Sequence, residues 1–180
     1  MGKEFAALTL ALFLCFDGTW AQGKRSRERE TQPPPSQVMD KRDRAVALPG
    51  SRFHGKAYWQ ALGQCGGIYF KLNTLYADAA AVAQVVKKDI PGSKALRNKS
   101  EEARRVATAF FDGAERVLTI DRKLARTDAI LTYDAAASDA ADRLKSVEAA
   151  LDGIKPCPAL YEACRKSLEK ICSGTAIVGP

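Results

Sequence analysis

From Tyr58 onward the chain carries a helical rhythm. Tyr58, Leu62, Cys65, Tyr69, Leu72, Tyr76, Ala79, Ala83 and Val86 recur at alternating steps of four and three, the spacing that stacks side chains on one face of a helix. Ala61, Ile68, Leu75 and Val82 widen that stripe, while Gln60, Gln64, Lys71, Thr74, Asp78 and Lys88 fall opposite. The pattern predicts one long amphipathic helix with a broad buried side. Pro91-Gly92 is read as its end, because proline lacks the backbone donor and pushes its predecessor out of helical geometry.

A second helix is expected to start at residues 98–100, where Asn98 and Ser100 can cap free backbone donors and Glu101 and Glu102 oppose the positive end of the dipole. Its stripe is Val106, Phe110, Gly113, Val117, Ile120, Leu124, Thr127 and Leu131, followed by Tyr133, Ala137, Ala140, Leu144, Val147, Leu151 and Ile154. The two runs are offset by two residues, about 200° around the axis, so one straight helix cannot turn both to a single core. A break is therefore expected within residues 132–138. With no Gly or Pro between Gly113 and Gly153, one very long helix with changing partners is the alternative. Gly153 and Pro156 close that region, and Pro158 opens a last helix whose inner face is Leu160, Cys164, Leu168 and Ile171. No segment alternates convincingly with period two. The expected fold is all-α, an irregular bundle of three or four helices behind a disordered N-terminal arm.

The ends read differently. An apolar run over residues 5–16, the small-any-small triplet Thr19-Trp20-Ala21 and Gln22 after it form a signal peptide over residues 1–21. The run is shorter than the roughly 20 apolar residues a membrane span needs. Residues 22–52 hold mixed charges and Pro33-Pro34-Pro35 with few large apolar groups, which predicts a disordered basic, Pro-rich arm. The helical domain is then expected over 53–175, with a short tail over 176–180.

Export fixes the meaning of the cysteines. Loss of the leader removes Cys15 and leaves Cys65, Cys157, Cys164 and Cys172 where disulfides persist. Bridged Cα atoms lie roughly 4.4–6.8 Å apart, whereas residues seven or eight apart on a helix are about 10–12 Å apart. The last three cysteines therefore cannot pair inside one intact helix. Cys65 should reach one of them, leaving two to pair through an unwound helix end, to pair between chains or to stay free. Counting helix heights at 1.5 Å per residue favours Cys65 with Cys157 if the break lies within 132–138; a break nearer Thr127 favours Cys172. The spacings suit no zinc site. Gly63, Gly66 and Gly67 surround Cys65 at a cost of about 1 kcal/mol each relative to Ala, which points to close backbone packing or a kink there, with a small ligand groove as the alternative.

Charge and chemistry narrow the function classes without naming one. The sequence has 28 Lys and Arg against 21 Asp and Glu, +7 overall, and loss of Lys3, Glu4 and Asp17 makes it +8. Such a moderate, mixed excess permits attraction to anionic partners such as lipid head groups or envelope polymers, with nucleic acid not expected, and its plainer reading is a well-solvated surface. Arg105, Arg116, Lys123 and Arg126 fall along one flank of the second helix, a candidate anion-binding stripe whose simpler reading is a solvated face. His54, the only histidine, has no second residue to make it a base or ligand. No phosphate loop, serine elbow, metalloprotease or haem motif occurs, so no cofactor, metal or catalytic residue is expected. Asn98-Lys99-Ser100 matches the glycosylation triplet and is placed in a surface turn. The sequence thus favours a secreted or periplasmic, noncatalytic helical binding or interaction protein with no stable membrane span after leader removal. The alternatives are an inhibitor, which at +8 needs an acidic hydrolase as target, and an enzyme working with carboxylates alone.

Overall fold

A computed structural model describes residues 39–168 and Cys172. The signal peptide, the arm over 22–38 and the tail over 176–180 lie outside these residues. Among the described residues the fold is all-α, built from α1 (Tyr58–Val85), α2 (Ile90–Asp121), α3 (Arg126–Asp142), α4 (Val147–Ile154) and α5 (Cys157–Ser167). The central element is α1, which packs against each of the other four.

The stripe predicted for α1 is buried from Tyr58 through Leu72. Its glycines explain how the helices approach. A Cβ added at Gly67 would lie under 3.0 Å from the Ala137 carbonyl of α3, one at Gly63 would meet the Tyr133 carbonyl oxygen at 3.1 Å, and one at Gly66 would enter the Phe111 ring. The glycines therefore serve close packing, as expected from their cost. Phe111 in turn stacks on Tyr133, with ring centroids 5.3 Å apart.

Three boundaries differ from the sequence expectation. Pro91 lies in the first turn of α2, where its missing donor is no loss, and Asp89 accepts from the Gly92 amide at 2.9 Å to cap that turn; Asn98 and Ser100 consequently sit on α2 and not in a turn before it. The break expected within 132–138 occurs at Arg122 to Ala125, with Lys123 in the left-handed region at φ 58°. A further break precedes Ser146, whose hydroxyl caps α4 by accepting from the Ala149 amide at 3.2 Å. Two breaks free the apolar runs from a common phase, and α3 buries only Ala129, Thr132, Ala136 and Ala137, leaving Leu131 exposed.

The helical unit also begins earlier than residue 53. Residues 39–52, assigned above to the disordered arm, are docked on the helices, with Val46 and the following Phe53 fully buried. An isolated bridge pairs Ala45 with Ala57, closed by Val46 donating to the Lys56 carbonyl at 2.8 Å and Tyr58 to the Arg44 carbonyl at 3.0 Å. Charges then fasten the segment to the end of α2. Arg44 forks onto Asp121 at 3.1 and 2.6 Å, and Arg42 donates to the Arg122 carbonyl at 3.0 Å. Asp43 receives Arg122, with Nε at 2.7 Å and Nη2 on the second oxygen, above the Trp59 ring at 4.9 Å. A helix end held by three residues some 80 positions away needs no local Gly or Pro to stop.

Two disulfides complete the fold. Cys65 joins Cys157 across 92 residues, and Cys164 joins Cys172 across 8, with Cα separations of 5.8 and 6.1 Å. The second bond forms because α5 ends at Ser167 and Leu168 leaves helical geometry at φ −135°, ψ 43°, the unwound helix end that the spacing required.

The glycine seam predicts opposite outcomes for one substitution at two sites. Gly67→Ala is expected to lose about 1–3 kcal/mol through overpacking, despite gaining helix propensity. Gly113→Ala, whose Cβ meets only Leu62 Cδ1 at 3.4 Å, should be neutral or gain up to about 1 kcal/mol. Urea unfolding of both variants measures the difference, and equal effects would show that α3 does not depend on the close approach.

The Asp43–Arg122 pair predicts an acid sensitivity. Burial opposes the charged carboxylate, but the hydrogen bonds from Arg122 and the Asp40 amide outweigh it and lower the Asp43 pKa below the ordinary carboxylate value. A depressed folded pKa contributes stability that is fully present above the unfolded value, about 3.9, and is lost as pH falls through the folded one. Asp43→Asn should cost about 1–3 kcal/mol at pH 7, because it takes the carboxylate from a part-buried, charge-assisted hydrogen-bonded pair. It should also flatten the decline of stability below pH 4. Unchanged pH dependence in this variant would assign the acid sensitivity to other carboxylates.

Candidate functional site

An opening among the described residues lies between α1, α2 and α4. Steps of three and four along α1 bring Tyr69, Leu72 and Tyr76 to one wall; Lys99, Glu102, Ala103 and Val106 from α2 form the second, and Leu151 and Ile154 from α4 the third. The cleft encloses about 300 Å³, at the lower end of the range for small-molecule sites. Tyr69, Leu72, Ala103 and Ile154 are buried at its floor, whereas Leu151 is partly exposed at its lip.

The floor is rigid for an aromatic reason. Tyr69 stacks on Phe110 with centroids 5.6 Å apart, and Phe110 meets the edge of Tyr161 at the same distance. Tyr161 donates its hydroxyl to the Cys172 carbonyl at 3.2 Å, so the stack runs from the cleft to the second disulfide. Burial, helped by the Glu102 carboxylate, pushes the Tyr69 phenol pKa up and keeps the hydroxyl protonated. At the rim Lys99 holds its ammonium 5.7 Å from the Tyr76 ring centroid, within reach of a cation–π attraction. The cleft can therefore receive an apolar or aromatic group on its floor and meet polar ends with one cation and one anion.

The sequence-predicted residues are distributed elsewhere. All four cysteines are in disulfides. The proposed anion stripe does not form one flank: the break at Arg122 to Ala125 puts Lys123 in the connection and Arg126 on α3. Arg126 pairs with Glu115 at 3.0 Å, Arg105 lies 3.8 Å from Glu101, and Arg116 is exposed on α2. At least two of the four cations thus have a carboxylate beside them. His54 is exposed in the turn before α1, donating its amide to the Ser51 carbonyl at 3.0 Å. In the glycosylation triplet Asn98 is exposed, while Ser100 is buried and donates to the Asn73 side chain at 2.7 Å. Among the described residues no group of three His, Cys, Asp or Glu is placed to hold a metal.

Sequence reasoning placed Tyr69, Leu72, Tyr76, Val106, Leu151 and Ile154 in core stripes and did not recognise that α4 covers them incompletely. The available signal was Ser146-Val147-Glu148, a cap followed by an acid in the first turn, which marks a helix start only a few residues before Gly153 and Pro156. No family model, curated protein or solved structure matches the chain.

Proposed function

We propose that this chain is an exported, noncatalytic helical binding protein of the cell envelope or extracellular space, and that the α1–α2–α4 cleft takes up an apolar or aromatic group of its ligand or partner. The cleft carries this reading: its floor is apolar and braced, and its ionic groups, Lys99 and Glu102, stand at the rim where they orient a bound group. Export is supported by the two disulfides, which persist in oxidising compartments, and by the apolar run over residues 5–16 with its cleavage triplet. The second disulfide lies behind the aromatic stack that forms the floor, so bracing and binding belong to one construction.

The test uses 1-anilinonaphthalene-8-sulfonate, whose naphthalene and sulfonate match an apolar floor with a cation at the rim. Titration followed by fluorescence should give one saturable site per chain. Val106→Trp, which fills the cleft from a half-buried position, should weaken that site at least tenfold with an unchanged melting temperature. Val85→Ser, remote from the cleft lining, should leave it intact. Saturable binding that survives the filled cleft, or binding abolished only by the remote variant, would overturn the assignment.

A further inference from the structure

Beyond the cleft, α1 and α2 continue as a two-helix finger. Between residues 77 and 99 only Ala80, Ala83 and Ser93 are buried, and they face one another across the hairpin: Ser93 donates its hydroxyl to the Ala80 carbonyl at 2.9 Å. From Ala77 to Val85 the finger extends about 14 Å at helical rise. Its end is unusual in composition. Val82, Val85, Val86 and Ile90 are 49%, 76%, 73% and 60% exposed, although the period of α1 places Val82 and Val86 on its core-facing stripe. They project past the point where other helices could cover them.

Asp78 and Glu101 lie further down the two helices, while Lys87 and Lys88 stand in the turn between Val86 and Ile90 and Lys94 and Arg97 follow on α2, all exposed, with the carboxylate of Asp89 among them. Asp89 turns that carboxylate onto the Gly92 amide as a helix cap. Arg97 is held beside the tip by its hydrogen bond to Gln84. An exposed apolar helix end with a local excess of cations is complementary to a surface with an apolar interior and anionic face. A second copy of the same tip would oppose these cations with their own kind, and a protein partner would have to supply a concave acidic socket.

We propose that the α1–α2 finger is a peripheral membrane contact, in which Val82, Val85, Val86 and Ile90 enter the interfacial layer of an anionic lipid surface while the surrounding lysines meet its headgroups. Apolar insertion of a few ångströms combined with basic residues is how interfacial segments bind without spanning. Among the described residues no helix is long and apolar enough to cross a membrane, so the contact would be reversible. It does not depend on the cleft being occupied.

The experiment is sedimentation of the processed, disulfide-bonded chain with vesicles of phosphatidylcholine and phosphatidylglycerol at seven to three, and with phosphatidylcholine alone. The chain should partition onto the anionic vesicles and should detach as salt is raised. Lys87→Gln with Lys88→Gln should weaken partitioning about thirtyfold, from roughly 1 kcal/mol per cation near the surface. Val85→Ser with Val86→Ser should weaken it at least tenfold through lost apolar burial. Both pairs are compared in the same background, so contributions from residues 22–38 cancel, and both should melt with the parent because all four positions are exposed. Unchanged partitioning in either pair would overturn the proposal, as would equal binding to neutral vesicles. Sedimentation velocity showing a dimer that only the valine variant dissociates would overturn it in favour of a second copy.

Discussion

Three residues without side chains, Gly63, Gly66 and Gly67, set the distance at which the molecule packs around α1. They let the backbone of α3 and the ring of Phe111 reach α1 on both sides of Cys65, and the half-sulfur of Cys65 is then close enough to meet Cys157 with Cα atoms 5.8 Å apart. Helix formation alone opposes this arrangement, because three interior glycines cost about 3 kcal/mol against alanine. Closing a 92-residue loop offsets more than that, about 4.6 kcal/mol in the chain-entropy model. Packing and covalent closure thus depend on the same turn of helix, and larger side chains there would separate α3 from α1 and displace everything that follows it.

The N-terminal segment solves a different problem, how to end α2 without a local stop signal. Asp43 and Arg44 bind Arg122 and Asp121, adjacent residues of opposite charge at the helix end, and Arg42 takes the Arg122 carbonyl. The left-handed Lys123 then turns the chain toward α3. A left-handed backbone at a residue with a Cβ is costly, and here it directly follows the residue that Asp43 and Arg42 hold in place. The same basic composition that reads as a solvated arm in the sequence is, over residues 40–44, a set of specific clamps.

That contrast shows which features were legible. Periodicity identified α1, the all-α class and the helix opened by Pro158, since these follow from local spacing and proline geometry. Burial along α1 was legible through Leu72 and failed at Val82 and Val86, because an apolar stripe states what a face prefers and not whether another element arrives to cover it. The break between α2 and α3 was misplaced because its cause sits some 80 residues upstream. Cys65 and Cys157 were nevertheless paired correctly for a reason that did not hold: the early break alone would have favoured Cys172, and the unforeseen second break before Ser146 returned Cys157 to the level of Cys65. The cleft was invisible for a related reason. Its residues have core-like spacing, and only the eight-residue length of α4 leaves them accessible.

The two halves of the α1–α2 hairpin consequently follow different physical rules. Near Cys65 the helices are surrounded, crosslinked and filled with aromatic rings, so opening there must approach global unfolding. Past Tyr76 they hold each other through Ala80, Ala83, one serine hydroxyl and the Arg97–Gln84 hydrogen bond, contacts that allow close approach but bury little area. A finger serving only as a structural extension would carry polar groups at its end, as solvent exposure favours. Here four branched apolar side chains are exposed beside Lys87, Lys88, Lys94 and Arg97, the combination from which the lipid contact is proposed. The cleft lies at the junction of these regimes, where α4 stops covering the hairpin. Its floor therefore inherits the rigidity of the packed half, while its rim residue Lys99 belongs to the exposed half.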